Sequence, residues 1–492
     1  MAVLMRDMIL KSGVNFGTSG ARGLVSDMTD KVCYVYTKAF IQYCSAHYNA
    51  SKTIAVAGDL RPSTGRILSA LAQAAKELNT EFVYCGRIPS PAIALYGIEQ
   101  KIPTIMVTGS HIPDDRNGIK FNHPMGEITK KDEEGILAQS VDIDESLFDA
   151  SGMLKNPPSL PPIETKAIKD YTARYSAFFG SDALMGLTLG VYQHSAVGRD
   201  TMVEVLESLG AFVKPLGRSE KFIPVDTEAI RPEDEALAKK WAIEGFDAIV
   251  STDGDSDRPL LADDSGEWFR GDVLGILAAK ALGIKRIATP VSCNTALEKS
   301  EVFEKICRTR IGSPYVIAGM ESLCEKGKTV AGYEANGGFL LATPIERDGR
   351  ILKALPTRDA LLPMIAVLAE ARAHRRNVSD LLRRLPKRYT ASDRLKEFPT
   401  ERSRQILEKI KGKNLGESLF GKFSGKLISI DETDGYRMVF DSEEVIHLRP
   451  SGNAPEFRCY VETASAERSK ELLAKCLALM SEWVNANGKL GF

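Results

Sequence analysis

A strand, loop, helix, strand, helix, strand, loop pattern occurs three times along the chain. The first copy opens with the apolar run Thr53 to Ala57 and the loop Gly58-Asp59-Leu60-Arg61-Pro62-Ser63. Ile67, Leu68, Leu71, Ala74, Ala75 and Leu78 then fall at helical spacing. Phe82 to Tyr84 reads as a second strand, a short helix follows from Pro91, and the run Thr104 to Val107 ends in Thr108-Gly109-Ser110-His111-Ile112-Pro113. The second copy begins at Gly186, passes a helix at Met202 to Leu209, and ends as Asp247 to Val250 runs into Ser251-Thr252-Asp253-Gly254-Asp255-Ser256-Asp257. The third begins at Ile287, carries a helix near Leu297 to Ile306, and ends with Thr329-Val330-Ala331 entering Gly332-Tyr333-Glu334-Ala335-Asn336-Gly337-Gly338. Alternation of this kind predicts an α/β chain with mixed or parallel sheets covered by helices, and functional loops at strand ends.

At 492 residues the chain is too long for one ordinary core and calls for roughly three or four domains. The proline-rich stretch Leu154 to Pro162 marks the first boundary, and the others are expected near 263 and 375. The arginine-rich run Arg372 to Arg388 reads as an amphipathic helix with a solvated basic face. Hydrophobic residues make up 43% and charged residues 26%, and no uncharged stretch is long enough to span a bilayer. Lys plus Arg (64) nearly cancels Asp plus Glu (65), so no overall field draws the chain to nucleic acid or an acidic membrane. An anionic substrate must be held by local charges. The N-terminal residues lack a signal-peptide core, which predicts a cytoplasmic location. The eight cysteines have no metal-type spacing and read as reduced thiols.

Four loops carry candidate chemistry. Asn15 to Gly23 sets three glycines, two hydroxyls and Arg22 in a stretch suited to an anion. Ser110 needs activation to act as a nucleophile, and His111, Asp114, Asp115, Arg116 and Lys120 are nearby; as a surface-loop serine it contributes little packing. A turn whose serine only bonds backbone has the same composition. Asp253, Asp255 and Asp257 repel one another unless a cation sits among them. The DxDxD spacing is also that of an EF-hand, but Arg258 replaces the required glycine and Asp264 the terminal glutamate, so a hard cation such as magnesium fits better. Arg449-Pro450-Ser451-Gly452-Asn453-Ala454-Pro455-Glu456-Phe457-Arg458 holds the donors needed to bind a phosphate dianion.

Together FGTSGARG (16 to 23), TGSHIPDDRNGIKF (108 to 121), DGDSDRP (253 to 259), GYEANGG (332 to 338) and RPSGNAPEFR (449 to 458) resemble, in order and spacing, the α-D-phosphohexomutase superfamily of the phosphomannomutase and phosphoglucomutase type. The resemblance implies three related α/β domains (1–155, 156–262 and 263–378) and a TATA-binding-protein-like α+β domain (379–492), heart-shaped around a central cleft. It implies that Ser110 is a phosphoserine and, with Asp253, Asp255 and Asp257, holds Mg2+. Lys120, Arg22 and His111 stand at the transferred phosphoryl group, with Lys120 the acid/base candidate. Glu334 and Asn336 bind the sugar, and Arg449, Ser451, Gly452, Asn453 and Arg458 the distal phosphate. The implied reaction interconverts a hexose 6-phosphate and 1-phosphate through a hexose 1,6-bisphosphate, in a monomer or homodimer with no nucleic-acid or membrane partner. Mannose phosphate leads, with glucose, glucosamine and N-acetylglucosamine phosphates behind. Gly109, Ile112, Asn336, Gly338 and Asn453-Ala454 depart from the residues common in the family. A sugar-phosphate-binding protein without catalysis and a sugar phosphatase are the competing readings; retention of Ser110, Lys120 and the three aspartates argues against the first.

Overall fold

The computed structural model describes residues 2–17, 20–48, 52–412, 414–451 and 455–485. Its four principal sheets follow one another along the chain. In the first, Thr53–Gly58 lies between Glu81–Arg87 and Thr104–Val107, parallel to both, and Arg116–His123 runs antiparallel beside Thr104–Val107. The second repeats this order with Phe212–Arg218, Thr188–His194, Ala248–Thr252 and Pro259–Ala262. The third repeats it again with Lys305–Thr309, Arg286–Pro290, Val330–Tyr333 and Phe339–Leu341. In each, three parallel strands are closed by an antiparallel hairpin, and the hairpin loop carries one of the motifs at the carboxyl end of the third strand.

Helices on both faces explain why the inner strands are uninterrupted apolar runs. Every residue of Thr104–Val107, Ala248–Thr252 and Val330–Tyr333 is buried. Burying side chains such as Ile105, Ile249 and Val330 contributes about 1.5–3 kcal/mol each relative to exposure. The fourth sheet is wholly antiparallel, in the order Tyr389–Leu395, Phe457–Thr463, Val445–Pro450, Tyr436–Phe440, Leu427–Asp431. Its core joins Ile406, Ile410, Phe420 and Trp483 from helices to Met438 and Leu448 from strands. Arg437, His447 and Tyr460, in cross-strand register, line a cavity shared with Ala335.

Two helices expected from sequence take other forms. In the third repeat the helix is only Ala296–Lys299, and Glu301 takes a left-handed φ of 53°. Ile306 instead pairs with Ile287 in the sheet, so tertiary pairing overrides local propensity. The 372–388 run is not one helix either. The buried helix Leu361–Ala373 ends before Arg375, whose φ is 51°, and a short helix Val378–Leu382 follows. Arg388 is buried, its Nε donating to Glu462 Oε1 at 2.5 Å, so the arginines do not share a solvated face.

Candidate active site

Thr104–Val107 delivers the serine loop into the interior. Ser110 is 0% exposed, not a surface residue as the loop composition suggested, and it holds a left-handed φ of 57°. A non-glycine residue there costs about 1–3 kcal/mol and persists only where its surroundings fix it. Its N–H donates to Thr108 Oγ1 at 2.8 Å and its Oγ to Asp253 Oδ2 at 2.6 Å, joining the first hairpin to the second.

The acidic loop is equally dry. Ligand oxygens of Asp253, Asp255 and Asp257 all lie within 4.8 Å of one another. Burial, then the Asp255 and Asp257 charges, pushes the Asp253 carboxyl well above its usual range. Burial also opposes ionisation of Asp255, yet the Lys120 ammonium outweighs it and holds that carboxyl far below the usual range. Lys120 Nζ reaches Asp255 Oδ2 at 2.5 Å and Asp257 Oδ2 at 2.8 Å, and Ser90 Oγ donates to Asp255 Oδ2 at 2.7 Å. Asp255 Oδ1 and Asp257 Oδ1 are buried with no hydrogen-bond partner. Crowded carboxylates with two orphaned oxygens are a fitting donor set for a hard divalent cation.

Three guanidinium groups face this cluster. Arg258 Nη1 donates to His111 Nδ1 at 2.8 Å, and its Nε lies 3.6 Å from Asp257 Oδ1. Burial first, then the Arg258 charge, lowers the His111 pKa to about 3, so at neutral pH the ring is uncharged and its Nδ1 accepts. That nitrogen lies 3.5 Å from Ser110 Oγ. Arg358 Nε lies 3.1 Å from Asp257 Oδ2. Burial and the Arg258 charge bring Arg22 down to about 10, and among the described residues the Arg22 guanidinium has no hydrogen bond or ion pair. It sits in the strand Gly20–Leu24, opposite Gly118, rather than in an anion-cradling loop: the sheet ladder uses that backbone, leaving the guanidinium as donor. Thr18 and Ser19 lie outside the described residues.

The third hairpin turns at Glu334, whose N–H donates to Gly338 O at 3.1 Å. Burial pushes the Glu334 carboxyl up against the pull of Arg358, whose Nη1 donates to Glu334 Oε2 at 3.5 Å. Asn336 Oδ1 accepts from Gly338 N at 2.9 Å and its carbonyl from Thr227 Oγ1 at 2.7 Å, so much of that residue serves the turn. In the fourth sheet, Arg449 and Arg458 face each other across neighbouring strands. Arg449 pairs with Asp434 at 2.9 Å and Arg458 with Glu456 at 3.0 Å. Ser451 is buried and its N–H donates to Glu456 O at 2.9 Å. Gly452 and Asn453 lie outside the described residues. The serine, lysine, aspartates, His111 and Arg22 therefore form one cluster, Glu334 joins it through Arg358, and neither Arg449 nor Arg458 bonds to it.

Sequence reasoning passed over Arg258, Arg358, Ser90 and the segment from Phe222 to Glu228. Arg258 follows the third aspartate and counted only against an EF-hand. The others belong to no compact motif; they reach the site from separate repeats.

Residues 13–146 match the phosphoglucomutase/phosphomannomutase alpha/beta/alpha domain I family, and residues 270–389 its domain III. A phosphomannomutase of Salmonella muenchen is 44% identical, over 99% of this chain and 98% of that protein. The chain belongs to the phosphoglucomutase/phosphomannomutase family. A phosphomannomutase of Sinorhizobium fredii is 41% identical over 95% of this chain and 99% of its own length. The fold matches a crystal structure of a phosphoglucomutase/phosphomannomutase family protein from Burkholderia thailandensis with a TM-score of 0.73 and 19% identity, covering 96% of this chain and 98% of that one. The chain is thus a phosphohexomutase-type enzyme of intramolecular phosphoryl transfer, built as a multi-domain α/β fold.

Proposed function

We propose that this family member is a phosphomannomutase, interconverting mannose 6-phosphate and mannose 1-phosphate through a phosphoserine at Ser110 and a hexose 1,6-bisphosphate. The observation that carries the mechanism is Ser110 Oγ at 2.6 Å from Asp253, in a buried cluster with Lys120, beside which stands the half-buried Arg22. The choice of mannose rests on the two relatives at 44% and 41% identity named phosphomannomutase. Asp253, Asp255, Asp257 and the Ser110 phosphate would hold Mg2+, which when bound neutralises charge on the transferred phosphoryl group. Arg22, with its donors uncommitted, orients that group, Lys120 moves the proton at the attacking or leaving sugar hydroxyl, and neutral His111 accepts from Arg258 and keeps it aligned.

Glu334 and Asn336 bind the sugar, while Arg449, Ser451, Gly452, Asn453 and Arg458 clamp whichever phosphate is not reacting. One site then serves both orientations of the bisphosphate. The division 1–155, 156–262, 263–378 and 379–492 sets the clamp in its own domain, and opening between the last two would permit the flip. A crosslink across that junction should slow turnover. The setting we propose is cytoplasmic, as a monomer or homodimer; among the described residues no helix is long and apolar enough to cross a membrane. The test is a coupled assay with magnesium and a trace of hexose 1,6-bisphosphate, offering mannose, glucose and glucosamine 1-phosphates in parallel. Highest kcat/KM for mannose 1-phosphate supports the assignment, another winner reassigns the sugar, and release of inorganic phosphate without isomer favours a phosphatase.

A further inference from the structure

Arg61 lies outside every motif above, in the loop after Thr53–Gly58, and is 1% exposed. All its guanidinium hydrogens are used. Nε donates to Asp59 Oδ2 at 3.1 Å; Nη1 donates to Pro113 O at 2.6 Å and Arg116 O at 3.0 Å; Nη2 donates to Ser110 O at 2.9 Å and Ile112 O at 2.5 Å. Four backbone carbonyls of the serine loop thus converge on one planar fork. Asp59 closes the circuit: its Oδ2 also accepts from Thr108 Oγ1 at 2.8 Å, the same hydroxyl that accepts from Ser110 N. The two flanks of Ser110 are therefore held by one buried ion pair.

Neighbouring residues fit this arrangement. A Cβ at Gly109 would lie 2.5 Å from Arg61 Cζ and 2.8 Å from its Nε, so the guanidinium fills the space an alanine would need. The Phe222 ring covers the guanidinium, its centroid 4.0 Å from Arg61 Cζ, and packs on Gly254 beside Asp253. We propose that Arg61 is a positioning residue for the phosphoryl transfer: it fixes the serine-loop backbone so that Ser110 stays in its left-handed conformation with Oγ aimed at the Asp253 loop. Lysine cannot replace it, because an ammonium has fewer donors and no planar fork. This inference rests on Ser110 being the nucleophile.

The test compares Ser110→Ala, Arg61→Lys, Gly109→Ala, Arg61→Ala and the Arg61→Ala/Gly109→Ala double variant. Read for each are kcat, KM for mannose 1-phosphate, phosphoserine content after incubation with hexose 1,6-bisphosphate, and thermal unfolding. Arg61→Lys should fold and lose about 100-fold in kcat with KM within about three-fold of wild type, since misplacement costs rate rather than binding. Gly109→Ala should lose kcat in the same way, and the double variant should be no slower than Arg61→Ala alone, because the collision partner is gone. If Arg61→Lys fails to fold, Gly109→Ala decides: lowered kcat at unchanged KM supports the inference, and wild-type kcat overturns it. A folded Arg61→Lys with kcat within about three-fold of wild type also overturns it. Should Ser110→Ala keep turning over, the nucleophile reading falls and the inference with it; an inert Ser110→Ala beside a normal Arg61→Lys sinks the inference alone.

Discussion

Lys120 is a cation among carboxylates that a divalent ion would also occupy. Its ammonium bridges Asp255 and Asp257, so it offsets part of the repulsion that would otherwise draw in a metal. Lys120→Met is expected to bind Mg2+ more tightly in calorimetry while turning over far more slowly; unchanged or weaker binding would show that the lysine does not compete. Ser110→Ala should abolish turnover. Because Ser110 is buried and bonded to Asp253, it should also cost about 1–3 kcal/mol in urea unfolding rather than nothing. At this scale the sequence was informative where chemistry is contiguous: Ser110 and the three aspartates stand in short motifs whose residue types need explanation. Arg61, Arg258 and Arg358 were not legible. Each is an ordinary arginine until folding brings it against the serine-loop carbonyls, or against a histidine or a carboxylate from another repeat.

The recurring element is a hairpin whose loop leaves a buried strand, and its glycines record how closely these loops pack. A Cβ on Gly271 would lie 2.2 Å from Gly337 N and 2.5 Å from Ala335 O, backbone atoms that cannot swing away. Gly271→Ala should therefore push the sugar loop out of place, raising KM for the sugar phosphate several-fold with a smaller effect on kcat; steady-state kinetics on the three 1-phosphates would reveal an unmoved loop as an unchanged KM. The loops were foreseeable because each third strand is a short apolar run ending in polar turn residues; the antiparallel strands that close them into hairpins were not read. Ala296–Lys299 and the break at Arg375 were not, since Ile306 had two apolar surfaces to choose between and the sheet won. Nor does periodicity say that Gly20–Leu24 joins the first sheet, because a glycine-rich stretch carries no period to read.

Across the whole molecule, acid should weaken the fold through histidines far apart. Burial lowers His194 and His447 each to about 4. Their Nε2 atoms lie 2.8 Å from Thr252 O and 2.5 Å from Asp434 O respectively. Unfolded, both would titrate near about 6.5, so below that pH the unfolded chain binds protons the native state refuses. Stability is then lost as pH falls from about 6.5 towards about 4, at up to about 1.4 kcal/mol per pH unit for each ring. Urea titrations at several pH values should show this slope, and His194→Gln/His447→Gln should reduce it; an unaltered slope would assign the effect to the other buried histidines, His111 and His123, or to carboxylates. The attachment of the fourth sheet was invisible beforehand for a similar reason: Glu462 binds Arg388 and Thr295 from far along the chain.

The three hairpins occupy corresponding positions in three sheets, yet one presents a hydroxyl, one carboxylates and one the Glu334 turn, to which the proposed function gives the sugar. On that assignment labour is divided among copies whose loops differ in sequence. The third copy can therefore drift towards a different sugar while the first two keep the phosphoryl chemistry intact, which makes the fold a chassis on which new specificities arise without reinventing catalysis.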